Sequence, residues 1–345
     1  MQFHNALPAS PQRIAVLRAI KLGDLLCAVP AFRAIRRAYP DAHIALIALP
    51  WAQEFVERYN HIFDEFITFP GWPGLPEQPL DIVKSVAFLQ EMQARQWDMV
   101  FQMQGNGTLV NAMLTLFGAK AVVGYHPTNH PERFLPHPEL FMPYPEKEHE
   151  VKRHVRLMEY VGIPAQGYEL EFPIQEHDRA RAQAILTTAG IQPKTENEIR
   201  HSPSYVCIHA GGISGRRWPE NRFADVADAL AEQGYTIVLT GTTAEEPIIQ
   251  RVQALMRHPS VSIAGQTDLG SLAAILDGAA VLISNDTGVS HLAAACHAPS
   301  VVVFTSADPA EWAPLDRERH RVVLEKDATT ERMLAEVEDL LQTVY

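Results

Sequence analysis

The first residues able to do chemistry are Lys21-Leu22-Gly23-Asp24, directly after the apolar run Arg13–Arg18 (RIAVLR). A carboxylate at the carboxyl end of a strand, opening a helix, stands where an α/β protein holds its ligand. There it can act as a general base toward an acceptor hydroxyl. The plain alternative is a helix cap, since Asp readily accepts first-turn amides. The second group is the run His209–Glu220, HAGGISGRRWPE. Gly211 and Gly212 would let backbone approach a phosphate closely, and Arg216 and Arg217 supply forked donors to its oxygens. Pro219 suits the first turn of a following helix. The run is neither the G-x-x-x-x-G-K-[ST] loop of nucleotide hydrolases nor a spaced G-x-G-x-x-G. The third group is Ser284–His291, SNDTGVSH. Asp286, Thr287 and Gly288 open a helix whose free amides and dipole favour an anion, or else Asp286 and Thr287 merely cap it. His291, one turn in, fits packing as well as chemistry. Glu245 and Glu246 follow another strand end. They read as a favourable charge pair at a helix N-terminus, with a sugar or ribose diol as the alternative partner.

The elements that must position these turns follow one grammar, used twice. Strands are predicted at Arg13–Arg18, His43–Leu49, Phe66–Phe69, Trp97–Met103 and Val122–Gly124. Helical patterns at about Asp24–Tyr39, Asp81–Gln96 and Thr108–Phe117 lie between them, with further helices at Glu150–Val161 and Asp178–Ala189. The grammar restarts at Tyr205–His209 and continues with strands Thr236–Thr240, Val261–Ala264, Ala280–Ser284 and Ser300–Phe304. Their helices are Asn221–Gln233, Ala244–Met256, Leu269–Asp277, Asp286–Cys296 and finally Thr330–Gln342. Strands alternating with helices imply βαβ units and parallel sheets, hence two doubly wound α/β halves. The Pro- and His-rich stretch from Gly124 to Glu150 reads as a surface excursion, because its prolines exclude helix interior and central strand.

Composition narrows the class. The 345 residues, 47% of them hydrophobic, are enough for two domains with their own cores. A formal net charge of −12 argues against nucleic acid as a partner. No apolar stretch approaches the ~18 residues that would span a bilayer, and the first residues lack a secretory pattern. Cys27, Cys207 and Cys296 are far apart and match no metal spacing, which fits reduced packing residues in a cytoplasmic protein. Against the acidic background, Arg13–Pro40 carries six basic residues and one acidic one, Asp24. That is either the solvated face of a helix or a local field for an anionic ligand.

Taken together, these residues resemble glycosyltransferase family 9, which includes the ADP-heptose:lipopolysaccharide heptosyltransferases. The resemblance runs over Gly23-Asp24 and LLCAVPAFRAIRRAYPDAHI, HAGGISGRRWPENRFADVADAL, IVLTGTTAEE and IAGQTDLGSLAAILDGAAVLISNDTGVSHLAAACHAPSVVVF. It implies a GT-B fold, two Rossmann-like doubly wound parallel-sheet domains with an interdomain cleft. The expected division is an acceptor domain over 1–165, a nucleotide-sugar donor domain over 175–328, and a C-terminal helix over 329–345 that packs back on the first domain. By position, Asp24 matches the family's catalytic base. Gly211, Gly212, Arg216, Glu245, Asp286, Thr287, Gly288 and His291 match its donor-binding turns, and Arg18 and Lys21 fall where an acceptor would approach. Two departures stand out. Gly211-Gly212 replace a hydroxyl-bearing pair, and Arg216 replaces a Lys, exchanging a point charge for a planar fork.

The resemblance implies an inverting transfer of a heptose-like sugar from a nucleotide-diphosphate sugar, ADP-heptose first among them, to a lipopolysaccharide-core or related glycan hydroxyl. No Asp-x-Asp string occurs, so neither a metal nor any other cofactor is expected, and protein cations would stabilise the leaving diphosphate. The expected partners are the donor and an anionic glycolipid or glycan acceptor, with peripheral contact at the cytoplasmic face of the inner membrane. Two rival readings fit the same residues. A sugar-nucleotide epimerase of the same fold would turn over donor without acceptor, and a non-catalytic nucleotide-sugar-binding protein would bind without turnover.

Overall fold

The computed structural model describes residues 7–128, 135, 137–191 and 204–344. The chain divides into two compact units, Met1–Tyr168 and Glu169–Tyr345.

In the first unit, β1 (Arg13–Leu17) leads into α1 (Leu22–Cys27) and α2 (Val29–Ala38), then β2 (His43–Ala48), α3 (Gln53–Arg58) and β3 (Glu65–Thr68). Next come α4 (Ile82–Ala94), β4 (Met99–Gln102), α5 (Asn111–Thr115), β5 (Ala121–His126), β6 (Phe141–Pro143) and α6 (Glu150–Tyr160). The strands form one parallel sheet in the order β3-β2-β1-β4-β5-β6. Its central strands are continuous apolar runs because helices cover both faces. Leu17, Ile47, Phe88, Trp97, Val100 and Phe117 are among the residues of one core cluster.

The second unit begins with α7 (Glu176–Thr188) and β7 (Tyr205–His209), followed by α8 (Glu220–Glu232), β8 (Thr236–Leu239), α9 (Glu246–Leu255) and β9 (Ser260–Ser262). It ends with α10 (Leu269–Asp277), β10 (Leu282–Asn285), α11 (Gly288–Ala295), β11 (Ser300–Phe304), α12 (Pro309–Trp312), β12 (His320–Leu324) and α13 (Thr330–Val344). Its parallel sheet is ordered β12-β11-β10-β7-β8-β9. Counted within each unit, both sheets therefore have the order 3-2-1-4-5-6. The direction of winding reverses between the first and fourth strands, β1/β4 in one unit and β7/β10 in the other. Loops leaving those strands diverge and leave room for a ligand. The C-terminal helix α13 contacts α8, β11 and β12, and it buries Met333, Val337 and Leu340 in the core of its own unit.

Besides the short helices α3 and α12, which were not predicted, the structure departs from the sequence expectations in three places. The helix predicted over Asp24–Tyr39 is two helices, broken at Ala28, where Pro30 enters the first turn of α2. Proline has no N–H to continue α1, and its ring would meet the carbonyl four residues back. The stretch 124–150 contains β6, which pairs with β5 at the sheet edge. Pro143 is tolerated there because an edge strand can lack a donor on its open side; residues 129–134 and 136 of this stretch lie outside the described residues. Finally β12, unread in the sequence, pairs with β11 from Ser300↔His320 to Phe304↔Leu324. No described helix is long and apolar enough to cross a membrane. All three cysteines are buried.

Candidate active site

In the first unit, Asp24 lies at the carboxyl end of β1, at the reversal point. It is not the cap of α1: that position is Lys21, which makes no side-chain cap bond, and Asp24 is the third residue of the helix. The connection is clamped by Gln104, whose Oε1 accepts from the Ala19 amide at 2.8 Å and whose Nε2 donates to the Ala19 carbonyl at 3.3 Å. The half-buried Asp24 carboxyl is pushed up above its ordinary range, first by burial. The Arg18 guanidinium opposes that rise, and the Glu150 carboxylate adds to it. A carboxylate shifted toward neutrality is a better base near pH 7 than an exposed one.

Lys21 is exposed at the start of α1. Arg18 is not where an acceptor could meet it. Only 1% exposed, it donates from Nε to the Asp24 carbonyl at 2.9 Å, from Nη1 to the Met103 carbonyl at 2.5 Å and from Nη2 to Glu150 Oε1 at 2.8 Å. Of the other basic residues in the Arg13–Pro40 segment, Arg13 and Arg37 are exposed, while Arg33 and Arg36 are half-buried. Arg36 binds the Ile62, Pro40 and Ala42 carbonyls and the Asp64 carboxylate.

In the second unit β7 and β10 are neighbours, with Ser284 opposite His209. The Gly-Arg loop and the Asp286–Gly288 turn therefore leave adjacent strands. Gly212 has φ +126°, a conformation that favours glycine, and its amide donates to Glu245 Oε1 at 2.7 Å. Glu245 Oε2 accepts from the Thr242 amide and hydroxyl, each at 2.9 Å, and lies 3.9 Å from His209 Nε2. Burial works to raise this carboxyl, but His209, Thr242 and Gly212 outweigh it and hold it below the ordinary range. Three of its roughly four acceptor sites are thus taken within the protein.

Asn285 is fully buried and ties the loop at both ends. Its Oδ1 accepts from the Trp218 amide at 2.8 Å, and its Nδ2 donates to the Gly211 carbonyl at 2.9 Å and the Ala210 carbonyl at 3.2 Å. Between these ties, Arg216 is exposed and makes no side-chain hydrogen bond or ion pair among the described residues. Thr287 caps α11, its hydroxyl accepting from the Val289 amide at 3.3 Å while the Ser290 hydroxyl donates to the Thr287 carbonyl at 2.7 Å. Asp286 is half-buried, its amide bound to the Val303 carbonyl at 3.0 Å. His291 is 4% exposed, with its ring edge-on to Trp312. The second unit thus brings Gly211, Gly212, Arg216, Glu245, Asp286, Thr287 and Gly288 to one end of its sheet, next to the positive end of α11. Asn285 and Glu150 were missed in the sequence. A polar residue closing the apolar strand LISN, and Glu150, Arg153 and His154 at helical spacing, were the available signals. Among the described residues, no group of three or more His, Cys, Asp or Glu side chains could hold a metal ion.

Two doubly wound units in one chain, each with its candidate residues at the reversal point, define a GT-B-type α/β protein. The profile of glycosyltransferase family 9 (heptosyltransferase) matches residues 85–340, and the chain belongs to that family of sugar-transferring enzymes. It is 30% identical over 319 residues to lipooligosaccharide heptosyltransferase 2 of Haemophilus ducreyi, covering 89% of this chain and 87% of the relative. Among solved structures it is similar to the family 9 glycosyltransferase of Veillonella parvula, at a TM-score of 0.80 and 22% identity, covering 98% and 99% of the two chains. It is also similar to the E. coli ADP-heptose lps heptosyltransferase II, at 0.75 and 19%, covering 96% and 98%. These structural likenesses bear on the fold.

Proposed function

We propose that this enzyme moves a heptose from ADP-heptose to a hydroxyl of a lipopolysaccharide-core acceptor, in one inverting step that needs no metal. The observation carrying the reading is the matched placement. Asp24 stands at the reversal point of one 3-2-1-4-5-6 sheet, and the Gly-Arg loop and Asp286–Gly288 turn stand at that of the other. Family membership, and relatives named for heptose transfer, support the donor and acceptor.

In this reading the Asp24 carboxylate takes the acceptor hydroxyl proton as that oxygen attacks the anomeric carbon. The bond from that carbon to the β-phosphate oxygen breaks, and its electron pair leaves with ADP. Attack opposite the leaving group inverts the anomeric centre. Arg216 and the amides at the start of α11 face the charge that develops on the diphosphate. Gly211 and Gly212 let the backbone lie close to it, and the remaining acceptor site of Glu245 Oε1 suits a donor hydroxyl. Asp286 and His291 belong to the donor-binding turn in this reading. A general base contributes typically 10²–10⁴-fold, so positioning and electrostatics supply the rest. Lys21 is the exposed cation beside Asp24 for an anionic glycolipid, which would be met at the cytoplasmic membrane face.

The test is transfer with a panel of ADP-, UDP- and GDP-sugars, with and without acceptor, reading anomeric configuration by NMR. ADP-heptose turnover only with acceptor, inverted product and full activity in EDTA are expected. Turnover without acceptor would make the enzyme an epimerase, and strict metal dependence would remove the role given to Arg216.

A further inference from the structure

We infer that Arg18, held by Glu150, is a positioning residue for Asp24: it fixes the backbone that carries this carboxylate and supplies the buried positive charge that accompanies it. The inference rests on the reading of Asp24 as base.

The geometry begins with an arginine that has no access to substrate. All three guanidinium nitrogens of Arg18 find acceptors inside the protein, and one of these is the carbonyl of Asp24 itself. A second acceptor, the Met103 carbonyl, fixes the guanidinium to the end of β4, the other strand of the reversal point. The third is Glu150, the first residue of α6 and only 5% exposed. Its carboxylate also accepts from Arg153 through Oε2, and Oε1 lies 3.0 Å from His154 Nε2. His154 Nδ1 in turn meets the Tyr125 hydroxyl at 3.1 Å. Burial first, and Arg18 next, push His154 down to about 4, so it is neutral near pH 7. Its Nε2–H then donates to Glu150, and Nδ1 shares the Tyr125 hydroxyl proton with the Arg153 carbonyl, which that hydroxyl meets at 3.0 Å.

The charges count as follows. Arg18 and Arg153 carry two positive charges, and Glu150 supplies one negative charge between them. An unbalanced charge in such surroundings is expensive, and the negative charge that balances the set is an ionised Asp24. Burial alone would favour the protonated form of that carboxyl. The charged groups bearing on Asp24 are Arg18 and Lys21 from its own segment and Glu150 from α6, the last backed by Arg153 and His154. Arg18 and Glu150 therefore act on Asp24 with opposite sign. A merely structural pair would lower activity without moving its pH dependence in opposite directions.

The experiment is the pH profile of kcat/KM for transfer with the proposed donor and acceptor, in wild type, Arg18→Gln, Arg18→Lys and Glu150→Gln. Loss of the positive charge in Arg18→Gln should move the acid limb to higher pH by about one pH unit or more, and Glu150→Gln should move it to lower pH. Arg18→Lys keeps the charge and loses the fork, so its limb should stay near wild type with kcat reduced and donor KM within a few fold. If Arg18→Gln does not fold, the downward move in Glu150→Gln beside an unmoved limb in Arg18→Lys decides the matter. Unmoved limbs in all folded variants, or moves of the same sign in Arg18→Gln and Glu150→Gln, overturn the inference. Asp24→Asn in the same assay separates the two levels. Wild-type activity there removes the base itself, whereas an inactive Asp24→Asn with coincident limbs elsewhere removes only the role of Arg18.

Discussion

Gly211 has no room for a side chain beside Glu245: a Cβ added there would stand 2.2 Å from Glu245 Oε1 and 2.4 Å from its Cδ. Gly211 leaves the space in which Glu245 reaches the Gly212 amide. Gly211→Ala must displace the carboxylate, breaking that bond and disturbing the Thr242 capping pair. We expect a loss of about 1–3 kcal/mol in urea unfolding and a donor KM raised several-fold. In a Glu245→Ala background the added methyl has room, so the same substitution should cost less. A coupling below about 0.5 kcal/mol would separate the two residues.

Asn285 gives a sharper comparison. Asn285→Ala leaves the Trp218 amide and two carbonyls without their partner, at about 2–4 kcal/mol. Asn285→Asp still accepts from Trp218 but sets a carboxylate against the Ala210 and Gly211 carbonyls. It should destabilise more than Asn285→Ala, and donor affinity should fall in both. Equal stability of wild type and Asn285→Asp would mean that the loop is not tied in this way.

Arg216 is predicted to matter for catalysis and hardly for stability. Because its side chain is exposed and makes no hydrogen bond or ion pair among the described residues, Arg216→Ala should change the unfolding free energy by less than about 0.5 kcal/mol. Transfer should fall roughly tenfold to a hundredfold, as for loss of one charge-assisted bond to a leaving diphosphate. Arg216→Lys keeps the charge and should recover part of the rate. An unchanged rate in Arg216→Ala would place the diphosphate elsewhere.

Much of this arrangement was legible in the sequence, and what was not has a physical reason. The strand-turn-helix order and the three turns follow from apolar runs punctuated by Gly, Pro and Asp, which are local signals. Neither the adjacency of β7 and β10 nor the ties of Asn285 could be read, because 74 residues or more separate Asn285 from the carbonyls it binds. Arg18 looked like an acceptor ligand because spacing places it near Asp24 but does not say which way it faces. Its partner Glu150 lies 132 residues away. The strand β6 was hidden by its prolines, which only an edge position makes tolerable.

Acidification should unfold this protein through its buried histidines. Burial pushes His154 and His320 down to about 4, while in the unfolded chain each titrates near 6.5. Between those values the unfolded state binds more protons, so stability is lost as pH falls from about 6.5 toward 4, by up to ~1.4 kcal/mol per pH unit for each residue. Glu150, held below the ordinary carboxylate range, adds a loss at lower pH. Urea midpoints at pH 7 and pH 5 should differ accordingly, with a shallower dependence in His320→Gln. Identical midpoints would contradict the burial of neutral imidazoles.

This chain should transfer heptose with Asp24 as the base. The most direct measurement is mass spectrometry of a heptose-free lipopolysaccharide-core acceptor incubated with ADP-heptose and either wild type or Asp24→Ala, with donor affinity measured alongside. Wild type should yield an acceptor heavier by one heptose and Asp24→Ala no product, with donor affinities within a few fold of each other. An unmodified acceptor with wild type, or product formed at the wild-type rate by Asp24→Ala, would contradict this reading.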